Sequence, residues 1–232
     1  MTPSSLPKPL PSPLWAWLTV ALSGAAAPAL AMLLLVNAPE TAPLAPVGGP
    51  ILAVSLMAVG MIGAAAAGRL WIGVLLALLT GAGLILLARG LGMPALPHPF
   101  STGLAMLIAS MSFAARGTLF ARASSSRGWW IAVAVVGCEA ATVLIVFALP
   151  GLLPNWLLVL LPAQWASAGI QTALTGTGTR AAGSVLIALA GTAATTLLVV
   201  VLWPRRWPYL LMFTAWLSFS ALVWNWPVAP IP

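Results

Sequence analysis

From Ala181 to Pro204 the chain runs 24 residues without a charged side chain, and then meets Arg205 and Arg206. Apolar windows of this kind recur from end to end: 14–36, 50–67, 70–89, 101–121, 129–149, 155–174, 181–203 and 207–226. Each is close to the ~20 residues a helix needs to cross the hydrocarbon core of a bilayer. Only 5% of the residues are charged, against about 25% in an ordinary soluble domain. No water-facing surface can be assembled from so few charges. The expected fold class is therefore all-α: a polytopic transmembrane helical bundle of about eight spans.

The joints carry helix-stopping chemistry. Proline- and glycine-rich loops stand at 37–50 (NAPETAPLAPVGGP) and 90–99 (GLGMPALPHP), and a tight proline turn at 150–155 (PGLLPN). The sixth window holds Pro162 and Gln164 near its middle, so it is either a kinked span or a re-entrant one. The first window follows a Pro/Ser-rich start and contains APALA, a cleavage-like stretch. It stays apolar through Val36, longer than a signal-peptide core, and so reads as a transmembrane helix.

A polar connector, RASSSRG at 122–128, divides the chain into an N-terminal four-helix membrane unit (1–121) and a C-terminal one (129–232). Each unit opens on tryptophans, passes through a proline-bearing loop and a small-residue-rich helix, and closes on a final hydrophobic helix. Four spans per unit would make these parallel repeats. Many of the 12 tryptophans, among them Trp15, Trp17, Trp129, Trp130, Trp203, Trp207, Trp224 and Trp226, lie at window ends, as an interfacial belt requires. The net charge of +7 comes from basic residues scattered singly, which mark topology and headgroup contacts; no nucleic-acid partner is expected. Lysine and arginine placement puts the N-terminus in the cytoplasm. With eight spans the basic residues divide six inside to three outside, and with seven spans seven to two.

Enzyme chemistry has little to work with. Glu40 and Glu139 are the two acidic residues, and Cys138 and His98 are single. Paired carboxylates, a Ser-His-Asp arrangement, a metal site and a bound cofactor all need more such groups. No catalytic, metal or cofactor role is expected.

Apart from Arg89 at the very end of its window, two charges stand inside windows. Glu139 lies about ten residues into its helix, near the bilayer centre, where an isolated acid costs about 2.5–3.5 kcal/mol. Arg116 is on the preceding helix, five residues before that window ends. The two helices form a hairpin through 122–128. At about 1.5 Å per residue, Glu139 is deeper by an amount that two extended side chains span. The pair reads either as a switchable element in a substrate or proton path or as a structural ion pair.

Arg180 stands where the next apolar helix begins. A cation there opposes the helix dipole, so it meets an anionic ligand, meets lipid phosphate, or serves topology alone. Beyond it Ser184, Ala188 and Thr192 recur at small-xxx-small spacing, the pattern of close helix packing in membranes. Thr192, Thr195 and Thr196 either line a polar path or bond back to their own helix.

The stretch TRAAGSVLIALAGTAATTLL (179–198) resembles the Arg-x-x-Gly-Thr-x-x-Gly helix start of the fusaric acid resistance and aromatic acid exporter group, within the integral membrane bound transporter superfamily. The preceding LPNWLLVLLPAQWASAGIQTAL (153–174) resembles that group's short tryptophan-containing helix, so the likeness covers about 129–226. Arg180 and Gly183 match the motif, Ser184 replaces its threonine, and Ile187 stands where its second glycine would be. In the first half, APLAPVGGPILAV (42–54) is similar to the SPLAQP…GG loop of the HPP-type membrane proteins, and HPF (98–100) falls where that family has His-Pro-Pro. The exporter resemblance implies an inner-membrane transporter for a small organic anion, with aromatic acids among the candidates. Arg180, Gly183 and Ser184 would meet that anion, with Glu139 and Arg116 as the buried polar element. Membrane lipids, and a second copy or a partner membrane protein, are the other expected partners. A non-catalytic membrane subunit is the competing reading, because polar groups inside the windows are scarce.

Overall fold

The structure, a computed structural model, describes residues 14–36, 44–93, 95–124, 127–149, 151–175 and 182–226. Arg180, the residue at which the exporter-like motif begins, lies outside them.

Helices α1 (Leu14–Ala21) and α2 (Ala27–Val36) join through a π-helical turn at Leu22–Ala26 to make the first rod. A second rod comprises α3 (Leu44–Met57), a π-helical turn at Ala58–Ile62 and α4 (Gly63–Ala67). It ends at Gly68, whose left-handed φ of 64° lets the chain reverse at once into α5 (Leu70–Gly90). Then follow α6 (Pro99–Ser124), α7 (Gly128–Ala148), the short α8 (Asn155–Val159), α9 (Pro162–Thr175), α10 (Gly183–Val201) and α11 (Trp207–Asn225). No strand occurs among the described residues.

Among the described residues, seven helices are long and apolar enough to cross a membrane: Leu14–Leu35, Val47–Ala67, Leu70–Gly90, Pro99–Ser124, Gly128–Val146, Gly183–Val201 and Trp207–Asn225. The protein is an all-helical, multi-pass integral membrane protein. The eighth expected span, 155–174, is helical but broken. Its longer piece, α9, has 14 residues and rises about 21 Å, short of the ~30 Å core. Pro162 is the physical reason. It has no N–H, and its ring crowds the carbonyl four residues back, which kinks or breaks a helix; here α8 stops at Val159 and α9 starts anew at Pro162.

The broken segment does not go on across the bundle. Gly117 of α6 packs on Met61, and Arg122 near the end of α6 donates to the Val200 carbonyl near the end of α10. The second rod, α6 and α10 therefore all run toward the end of the bundle where α6 turns into α7. Near the C-terminal end of α9, Gln171 and Leu174 meet Gly49 and Gly48, at the start of α3. Gly169 meets Val185 and Leu186, at the start of α10. Thus α9 points to the opposite end, the end at which α7 finishes. Residues 151–175 enter from that end and return to it.

The interior is built on small residues. The second rod is mostly buried, with 72% of its window inside the protein, whereas α11 is peripheral at 17%. Helix α3 packs most extensively on α9, and α6 on α10. A Cβ at Gly49 would stand 2.6 Å from the Gln171 Cβ and 2.7 Å from the Ser167 carbonyl oxygen. Close approach of this kind substitutes for the hydrophobic drive that lipid does not provide. Trp15, Trp130, Trp203, Trp207, Trp224 and Trp226 are exposed, as a belt facing headgroups needs; Trp129 is buried.

Candidate functional site

Glu139 and Arg116 do meet. Arg116 Nη1 lies 3.6 Å from Glu139 Oε1, between mostly buried side chains. Measured from the turn between α6 and α7, Arg116 is eight residues in from Ser124 and Glu139 eleven in from Gly128, depths of about 12 and 17 Å. Two long side chains close that offset, as the hairpin count requires. The guanidinium also lies 5.9 Å from the centre of the Phe113 ring, a distance that draws cation to π-face.

The second carboxylate oxygen has a partner that counting depths does not reveal. Glu139 Oε2 accepts the backbone N–H of Ala163 at 2.9 Å. Ala163 is the second residue of α9, so the carboxylate sits on the positive end of a half-helix inside the bundle. The first turn of α9 is fully accounted for: Pro162 has no N–H, Ala163 donates to Glu139, and Gln164 and Trp165 both donate to the Leu161 carbonyl, at 3.0 and 3.3 Å. The opposing helix end is closed as well. Trp165, almost wholly buried, donates its indole N–H to the Val159 carbonyl at 2.8 Å. A chain break at membrane depth is tolerated because the backbone N–H groups of this turn are bonded within the protein; the Gln164 side-chain amide nitrogen is buried there without a partner among the described residues.

At its other end α9 is held by Gln171, whose Oε1 accepts the Gly49 backbone N–H at 2.7 Å. Sequence reasoning passed over Gln171. An uncharged amide inside an apolar window was the available signal, since polar groups at such depth are retained for a partner.

Beneath the tip of the re-entrant segment lies a cavity of about 450 Å³, within the usual range for small-molecule sites. Arg116 and Glu139 face it beside Leu160, Leu161 and Pro162 of the tip. Thr192 and Thr196 of α10 form one wall, and Met212, Phe213 and Trp216 of α11 another. Both threonines donate back to their own helix: Thr192 to the carbonyls of Ala188 and Leu189, Thr196 to that of Thr192. They therefore line the cavity and also bond back, offering it acceptor lone pairs but no free donor. Thr195 likewise bonds back, to the carbonyls of Gly191 and Thr192. Arg116 brings the charged donors to the lining. The remaining wall is largely apolar and aromatic.

The other expected site residues lie elsewhere. Gly183 and Ser184 begin α10, about 13 Å along the helix from Thr192. A Cβ on Gly183 would meet nothing within 4 Å, so no close approach explains it. The Ser184 hydroxyl donates to the Trp226 carbonyl at 2.8 Å, tying the start of α10 to the end of α11. The small-residue stripe serves packing: Ala188 and Thr192 are buried. Among the described residues, no three His, Cys, Asp or Glu side chains come together to hold a metal ion.

No protein-family model, curated protein or solved structure matches this chain. The site is therefore read from its own geometry.

Proposed function

We propose that this chain is a transport protein of the inner (plasma) membrane, with its N-terminus in the cytoplasm, and that it moves a small organic anion through the cavity at Arg116. The observation that carries this reading is the broken helix, whose positive end meets a buried glutamate–arginine pair at the head of the cavity. Half-helix ends near the bilayer centre are a recurrent way to bind charged substrates, because the chain break frees oriented N–H groups away from water. Arg116 offers the donor geometry that suits carboxylates. The aromatic and aliphatic wall suits an organic body. Keeping two charges at this depth is costly and favours a functional reason for them. The aromatic part of the substrate class comes from the exporter resemblance. The cytoplasmic orientation comes from the arginine and lysine distribution, seven to two for seven crossings.

The test is the tolerance of cells to a panel of aromatic and short-chain organic acids. Wild type, a deletion strain and Arg116→Lys are compared, with membrane levels matched. Greater sensitivity of the deletion strain, shared by Arg116→Lys at unchanged abundance, is expected. Equal tolerance of all three strains, with the chain isolated in fixed stoichiometry with other membrane proteins, would instead make it a non-catalytic subunit.

A further inference from the structure

We propose that Glu139 is an exchangeable occupant of the anion site, so that each anion bound is accompanied by one proton taken up on Glu139; this rests on the transport reading above. Three features of the geometry carry the proposal. One carboxylate oxygen, Oε1, already stands beside Arg116 at 3.6 Å, in the place an anion would take, while Oε2 is held separately on the Ala163 N–H at 2.9 Å. The contact to Arg116 is an ion pair longer than a hydrogen bond, so it can be exchanged without breaking a short directional bond. Both groups line the same cavity, so proton and anion meet the pair from one shared space.

Charge balance then makes the two events interdependent. With Glu139 ionised and the cavity empty, the side-chain charges sum to zero. They also sum to zero when Glu139 carries a proton and an anion has joined Arg116. The intermediate states hold one uncompensated charge at membrane depth, where that is most costly. The proton goes to Oε1, the oxygen facing Arg116. Oε2 keeps the Ala163 N–H, and the freed guanidinium donates to the incoming anion. Among the described residues that line the cavity no second titratable carboxyl, thiol or imidazole competes: α10 contributes Thr192 and Thr196, α11 Met212, Phe213 and Trp216, the re-entrant tip Leu160, Leu161 and Pro162, and α6 the charge of Arg116 itself. On its own helix the neighbouring Cys138 is exposed and does not line the cavity.

The experiment is equilibrium binding of benzoate to the purified full chain in lipid nanodiscs, between about pH 5.5 and about pH 8, where the probe stays ionised. Benzenesulfonate, an anion through the whole range, serves as a control for titration of the probe. For wild type, affinity should rise as pH falls, by up to about ten-fold per pH unit, because proton and anion binding are reciprocally linked. Glu139→Gln should bind with the same affinity at every pH, at least as tightly as wild type at the acid end. Arg116→Lys should weaken binding by about ten-fold or more, and its monodispersity on gel filtration checks the fold. Binding by wild type that ignores pH, or an unchanged pH slope in Glu139→Gln, overturns proton exchange and leaves the anion site standing. No binding of either probe by wild type or Glu139→Gln at any pH overturns the anion site itself.

Discussion

Gly49→Ala probes the seat of the re-entrant helix. The added methyl would lie 2.6 Å from the Gln171 Cβ and 2.7 Å from the Ser167 carbonyl oxygen. Carbon–carbon contacts settle near 3.5–4.0 Å, so α9 must retreat by about 1 Å. The obstacle includes backbone as well as a side chain, so a rotamer change cannot relieve it. Overpacking of this kind costs about 1–3 kcal/mol. Separating Gly49 N–H from Gln171 Oε1 adds about 1 kcal/mol. The retreat is carried along α9 to Ala163, whose 2.9 Å bond to Glu139 does not survive a ~1 Å displacement unless the carboxylate follows. A loss of about 2–4 kcal/mol is thus expected, together with weaker anion binding. Gly83→Ala on α5 is the control, because a Cβ there meets nothing within 4 Å; it should leave stability unchanged or raise it by up to about 1 kcal/mol. The assay is reversible unfolding in mixed micelles as the share of denaturing detergent increases. If Gly49→Ala unfolds within about 0.5 kcal/mol of Gly83→Ala, α9 is not held against α3 as described.

Further outcomes follow from the same geometry. Trp165→Phe keeps the buried ring but removes the N–H that the Val159 carbonyl accepts, and should lower stability by about 1–3 kcal/mol in the same titration. Arg116→Ala strands a buried carboxylate and should cost about 3–5 kcal/mol; combining it with Glu139→Gln should recover much of that loss, and simple additivity of the two would contradict the pairing. Ser184→Ala should shift benzoate affinity by less than about two-fold, since Ser184 is about 12 Å along α10 from the cavity; a large loss would move the site to the start of that helix.

Much of the architecture was legible because its causes are local. Hydropathy and the scarcity of charge act residue by residue, so the apolar windows and the helical membrane class follow from the chain alone. Pro162 marked the break in the sixth window, since a missing N–H and a ring clash are properties of that residue wherever it folds. The pairing of Glu139 with Arg116 was accessible too, because a short connector places both in one hairpin and a rise of 1.5 Å per residue sets their depths.

Other features needed the tertiary structure. The sequence left the broken window free either to cross or to turn back; the seating of Gly49 against Gln171, 122 residues apart, turns it back. Nothing in the chain's order says that Ala163 will present its N–H to Glu139, or that Met212, Phe213 and Trp216 will close one side of a cavity over Arg116. Helices in lipid choose neighbours by close approach of small residues, and with 21 glycines and many more alanines the sequence offers a great many equivalent choices. The sequence by itself determined that this protein is a bundle of membrane helices carrying one buried acid and one buried base. Only the packing decided that a half-helix would end on that acid at the head of a cavity, because that depends on which small-residue faces meet.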